Sequence, residues 1–178
     1  MKLFYKGPSL TELHEEYAKR GRLDEEAPVK SINSVTIDAP VHTVWQLISD
    51  MHNWPAWRSD ARVTELERME PDANFRWTVR GTSIKSTFAV ISPEQELTWT
   101  GVAMGCMKAI DRMRLAPTAR GGTLATIEES LSGPLLTLFY SDKKLRKGHQ
   151  DVLRMLKAAA EGQPLEPTHR KPVLLPQR

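Results

Sequence analysis

From Ile32 onward, Val35 and Ile37 alternate with Ser34, Thr36 and Asp38. A period of two predicts a first strand. At Pro40 the period changes: Val41, Val44, Trp45 and Ile48 fall at i, i+3, i+4 and i+7, the apolar face of a helix. Pro40 suits the first helical position, where a missing N–H costs nothing. Asp50 is placed to cap a second, shorter turn, which Pro55 limits. Trp45, Trp54 and Trp57 are three of the five tryptophans and fall within thirteen residues. Rings of that size bury large apolar areas, so the cluster predicts core, with part of it walling a ligand cavity.

Alternation returns in six short runs, at about 61–67, 73–80, 83–92, 95–103, 107–115 and 123–131. No helical run separates them, so the sheet must be antiparallel. Gly81-Thr82 reads as a type II′ hairpin turn. Ser92 to Gln95, Met104 to Met107 and Pro117 to Gly122 supply the other turns. After Gly133-Pro134 the helical period resumes. Leu138, Leu145, Val152 and Ala159 recur every seven residues, joined by Leu135, Met155 and Leu156. One long amphipathic helix of about 25 residues is expected, ending at Gly162. Gly148 lies inside it at a cost of about 1 kcal/mol against Ala, which predicts a close packing contact or else room for a ligand.

Ahead of the first strand, Ser9-Leu-Thr-Glu12 has the pattern of a capping box. Leu10, Leu13, His14 and Tyr17 form one face, and Gly21 is a natural stop. This short helix packs on the main body or on a partner chain, which leaves a homodimer open. The expected organisation is an N-terminal helix and connector (1–30), a main domain (31–162), and a flexible, proline-rich basic tail (163–178). No internal repeat is present.

The turns set a register, and the register sets which side chains share a face. Pivoting at Gly81-Thr82 places Trp77 opposite Ser86 and Phe75 opposite Phe88. The next turns place Phe88 opposite Trp99, Trp99 opposite Asp111, and Asp111 opposite Glu129. The apolar phase runs through Phe75, Trp77 and Val79, then Ile84, Phe88 and Val90, then Leu97 and Trp99. It continues through Ala109, Met113 and Leu115, and through Ala125, Ile127 and Leu131. The other phase carries Arg76, Arg80, Lys85, Lys108, Arg112 and Arg114 and is expected in water. Asp111 and Glu129 break the apolar phase side by side. Two buried carboxyls cannot both ionise cheaply, so one should hold its proton well above the usual range. They would form the polar end of an apolar cavity, binding a ligand hydroxyl or amine or moving a proton. Otherwise they sit at its rim or pair with a cation such as His149.

A chain of 178 residues, 40% hydrophobic and 26% charged, favours one soluble globular domain. No apolar run is long enough to span a bilayer, and the first ten residues lack a signal-peptide core. Cys106 is the only cysteine, so no internal disulfide and no CxxC chemistry is available; a cytoplasmic location is the simplest expectation. The net charge is +3 and the pI about 9.1. Lys143 to Lys147 and His169 to Lys171 carry much of the excess, and a solvated helix face and tail account for it. No basic stripe interleaves with aromatics, so nucleic acid is not an expected partner. His14, His42, His52, His149 and His169 show no metal-ligand spacing, and neither metal nor cofactor is expected. Ser130 lacks a nucleophile-elbow context.

The order of elements is that of an α+β helix-grip fold. Ile37-Asp-Ala-Pro40, Val44-Trp45, Asp50, Trp54-Pro-x-Trp57, Phe75-Arg-Trp77, Leu97-x-Trp-x-Gly101 and Thr126-x-Glu-Glu-Ser130 resemble the SRPBCC or START-like superfamily. The resemblance is to its bacterial polyketide cyclase/dehydrase and lipid-transport-like branch, over roughly residues 25 to 162, and Ala27-Pro-Val29 adds to it. It implies a curved antiparallel sheet of about seven strands gripping the long helix over a cavity for an apolar or aromatic ligand. The chain departs from that branch in Ala109-Ile-Asp-Arg-Met113, where histidine is expected at Asp111 and tryptophan at Met113.

The expected function is binding, as carrier or sensor, of a small hydrophobic or aromatic molecule, lipid- or polyketide-like. The expected ligand-binding residues are Trp45, Phe75, Trp77, Ser86, Phe88, Trp99, Asp111, Met113, Ile127 and Glu129. An alternative is a cyclase or dehydratase with Asp111, Glu129 or His149 as acid and base. A third is an interaction module without ligand, using Leu10, Leu13 and Tyr17 or the segment Lys143 to Lys147.

Overall fold

The computed structural model describes residues 4–163, so the tail expected from Gln163 onward lies almost wholly outside the described residues. Seven strands form one antiparallel sheet: β1 (Val29–Ile37), β2 (Ala61–Leu66), β3 (Asn74–Val79), β4 (Thr82–Ser92), β5 (Glu96–Ala103), β6 (Met107–Pro117) and β7 (Thr123–Ser132). Their order across the sheet is β1-β7-β6-β5-β4-β3-β2. The N-terminal turn is α1 (Leu10–Glu12); α2 (Val41–Ser49) and α3 (Trp54–Trp57) link β1 to β2; α4 (Leu136–Phe139) and α5 (Asp142–Ala160) follow β7. The sheet curves around α5, the helix-grip architecture expected.

The main core lies between the concave face, α2, α3 and α5. Ile48, Trp54, Phe75, Phe88, Leu97, Trp99 and Leu156 are buried there. Phe75 stacks on Phe88 with centroids 4.3 Å apart, and Trp54, Trp77 and Trp99 meet edge to face or tilted. Trp54 Nε1 donates to the Ile48 carbonyl and Trp57 Nε1 to that of Leu47, so the buried indoles are satisfied.

Several local expectations are corrected. The β3–β4 turn is Arg80-Gly81, with positive φ at both residues (49° and 82°), the signature of type I′ rather than II′. The register therefore moves by two: Trp77 faces Ile84 and Phe75 faces Ser86. A shift of two leaves every side chain on its expected face. A bulge at Ala89 does not: Phe88 pairs with Trp99 and Val90 with Thr98. Beyond it Ile91 joins the inner core, and Val90 packs on the outside. The long C-terminal helix is two helices. The chain is extended at Tyr140, and Ser141 restarts it by accepting from the Lys144 amide. Leu138 and Phe139 are consequently exposed. Pro40 is the N-cap of α2 rather than its first residue, and Asp50 makes no side-chain cap.

The N-terminal segment packs on the body of the same chain. Ser9 caps α1 by accepting from the Glu12 amide. A π-turn (Leu13–Tyr17) and a 3-10 turn (Ala18–Arg20) carry it across the outer face of the sheet, and Gly21 ends it at φ 65°. Leu13, Ala18 and Leu23 cover Ala89 and Ile110. His14 is buried between Thr100 Oγ1 (3.0 Å) and Asp72 Oδ1 (2.8 Å). The outer phase is thus not all in water. Glu128 is 3% exposed and is held by Arg112, whose Nε donates at 2.8 Å, and by Arg114.

Candidate functional site

Alternation on five paired strands builds one rung across the concave face. Phe88 pairs with Trp99, Trp99 with Asp111, Asp111 with Glu129, and Glu129 with Ser31. The rung passes from aromatic to acidic to polar. The expected neighbourhood of Asp111 and Glu129 is therefore present, and α5 adds His149 above it. His149 Nε2 lies 2.8 Å from Glu129 Oε2, so Glu129 is paired. Asn33 Nδ2 lies 3.4 Å from His149 Nδ1 and donates to Ser31 Oγ.

Asp111 has no such partner. Its Oδ1 is buried and makes no hydrogen bond; Thr137 Oγ1 is the only other such side-chain atom among the described residues. Burial first, and the Glu129 charge second, push its carboxyl up to about 7, against the opposing pull of His149 and Arg58. For His149, burial opposes the charged ring; the Glu129 hydrogen bond and the charges of Glu129 and Asp111 outweigh it, so its value is raised.

These groups line a cavity of about 390 Å³ between the sheet and α5. Of the expected site residues, Trp77, Ser86, Trp99, Asp111, Met113, Ile127 and Glu129 line it. Trp45, Phe75 and Phe88 do not. Trp45 is half-buried against the core, and the two phenylalanines fill it. Trp77 Nε1 donates to Ser86 Oγ at 3.0 Å, which ties two lining residues together.

Two glycines keep the space open. A Cβ on Gly101 would stand 2.9 Å from Ser86 Oγ. One on Gly148 would meet nothing nearer than an Arg80 nitrogen at 3.9 Å, so the close contact expected there is absent and Gly148 faces the cavity instead.

Sequence reasoning missed Arg58, Arg80 and Tyr140, which also line the cavity. Arg58 is 6% exposed, lies over the Trp54 and Trp77 rings and donates from Nε to Asp60 Oδ1 at 3.2 Å. A charged residue directly after the tryptophan cluster was its one available signal. Tyr140 could not be placed while the helix was read as continuous.

The family model described as polyketide cyclase / dehydrase and lipid transport matches residues 28–161. The chain belongs to that family. No curated protein matches its sequence at a significant level. Among solved structures, it resembles the hypothetical protein jhp0584 of Helicobacter pylori at TM-score 0.67 and 16% identity, covering 76% of this chain and 90% of that one. It resembles DynU16, described as a putative protein in the dynemicin biosynthetic locus, at TM-score 0.61 and 20% identity, covering 76% of this chain and 48% of that one. It also resembles CalU16 of Micromonospora echinospora at TM-score 0.55 and 21% identity, covering 71% and 73%. At these identities the likeness is one of fold. No helix among the described residues is long and apolar enough to cross a membrane.

Proposed function

We propose that the chain binds a small hydrophobic or aromatic molecule, lipid- or polyketide-like, between the sheet and α5. The observation that carries this reading is an apolar cavity with one carboxyl in its wall, Asp111, that no protein group satisfies. A carboxyl left short of partners is costly in a filled core and is explained when a ligand or water in the cavity meets it. The family description supports the ligand class. Trp77 and Trp99 line the space, so their emission reports its contents. The test is titration of the purified protein with the neutral fluorophore N-phenyl-1-naphthylamine, together with mass spectrometry of an organic extract. Saturable binding that quenches tryptophan emission is expected. No binding, and an extract free of small molecules, would refute the reading.

A second reading is a cyclase or dehydratase. It is favoured by the Glu129–His149 pair standing beside a carboxyl raised to about 7, a base and an acid within one cavity. Asp111→Asn and His149→Gln would each abolish turnover of an accepted substrate, while leaving its binding measurable.

A further inference from the structure

Apart from Asp111, the charged side chains that line the cavity each have a partner. Arg58 is held by Asp60 and by two indole faces. Arg80 Nε lies 3.6 Å from Asp60 Oδ2, and its Nη2 lies 3.9 Å from Asp151 Oδ2. Glu129 and His149 hold one another. Lys144 donates to the Phe139 carbonyl at 3.4 Å and lies over the Tyr140 ring. What the cavity lacks is a hydrogen-bond donor for the Asp111 carboxyl.

A ligand hydroxyl would supply that donor. A ligand ammonium would supply it and also neutralise the carboxylate, giving a charge-assisted bond in a desolvated place. A ligand carboxylate would do neither. It would set a further negative group beside Asp111 and Glu129, where the nearby cations are already engaged.

We infer that the cavity selects molecules whose apolar body ends in a hydrogen-bond donor, ammonium before hydroxyl, and discriminates against carboxylates, with the Asp111 carboxylate as the acceptor. This rests on the ligand-binding reading above. Its pH dependence follows from the titratable and charged groups that line the cavity with Asp111: Glu129 from β7, Lys144 and His149 from α5, Tyr140 before it, and Arg58, Asp60 and Arg80 from loops; Asp151 of α5 reaches it only through Arg80. An ammonium binds best to ionised Asp111. Its affinity therefore rises with pH across the region around 7 where that carboxyl loses its proton. His149 loses charge in the same direction, so Asp111→Asn keeps only the part due to His149.

The experiment is displacement of N-phenyl-1-naphthylamine from the full chain by decylamine, decanol and decanoate, which share one apolar tail. At pH 7.5 the amine should compete at least about tenfold more tightly than the carboxylate, with the alcohol between them. In Asp111→Asn the amine-to-carboxylate ratio should collapse to under about threefold. Decanoate binding as tightly as decylamine, or an unchanged ratio in the variant, would overturn the inference while the cavity stood. If the variant does not fold, the order of the three competitors on the unaltered protein decides by itself. Failure of the fluorophore to bind at all would remove the ligand-binding reading, and this inference with it.

Discussion

Glu128 and Glu129 are neighbours on β7 and point to opposite faces of the sheet. Both are carboxylates largely withdrawn from water with cations beside them, Glu128 buried and Glu129 partly so, yet their surroundings differ. Glu128 is gripped by two arginines beneath the N-terminal segment, and Arg112 also donates to the Gly21 carbonyl, which joins that segment to the sheet. Glu129 has one partner, His149, and beside it stands a cavity-lining carboxyl with one buried oxygen that no side chain or backbone group meets. The outer carboxylate fastens one piece of structure to another. The inner pair leaves bonding capacity unused. Burial and charge are common to both places, and satisfaction of hydrogen bonds is what separates a fastening from a candidate site.

That contrast can be broken by substitution. The largest effect is expected for Glu128→Ala, which strands the mostly buried Arg112 and should cost about 3–5 kcal/mol in urea unfolding. A loss under about 1 kcal/mol would mean that the outer cluster fastens nothing. Gly101→Ala comes next. Its methyl would press on Ser86 Oγ, which accepts the Trp77 indole, so a loss of about 1–3 kcal/mol is expected, and an unchanged midpoint would show the inner wall to be slack.

Asp111→Asn should act in the other direction and only above acid pH. With the folded carboxyl near 7, the unfolded chain ionises first, so stability falls as pH rises from about 4 to about 7. His149, with its raised value, adds a similar loss above the ordinary histidine range. The Asn variant keeps only the His149 part and should be roughly 1–2 kcal/mol more stable than the parent at pH 8, with no gain at pH 3.5. Unfolding curves at the two pH values check this. The smallest effect is expected for Gly148→Ala: a gain of up to about 1 kcal/mol from helix propensity, since the methyl meets no close neighbour. It would enter the cavity and weaken fluorophore binding. A stability loss there would contradict the open space beside α5.

Legibility followed the physics of each feature. The pairing of Asp111 with Glu129 could be read because strict alternation and short turns carry the phase from strand to strand, and the two-residue error at Arg80-Gly81 cancels in that phase. Val90 could not be placed, because Ala89 adds a residue without a turn signal and reverses the faces beyond it. The helix break at Tyr140 was hidden by an apolar heptad that continues across it, while the Ser141 cap that restarts the helix looked like one polar residue among several. Gly148 was read first as a packing contact, with room for a ligand as the alternative, because spacing reports that a side chain is missing, not what fills its place. Glu128 fell in the phase assigned to water, since nothing local announces that residues more than a hundred positions earlier will cover it.

The sequence by itself determined the sheet, its order of elements and the row of side chains on its concave face. These follow from periodicity and turn chemistry, which act between near neighbours. Only the tertiary structure decided that His149 takes Glu129 and leaves Asp111 free, that Arg58 is already held, and that the N-terminal segment closes over Glu128. Each of those depends on which distant groups arrive at one place, and a buried polar atom is satisfied or orphaned only by what reaches it through space.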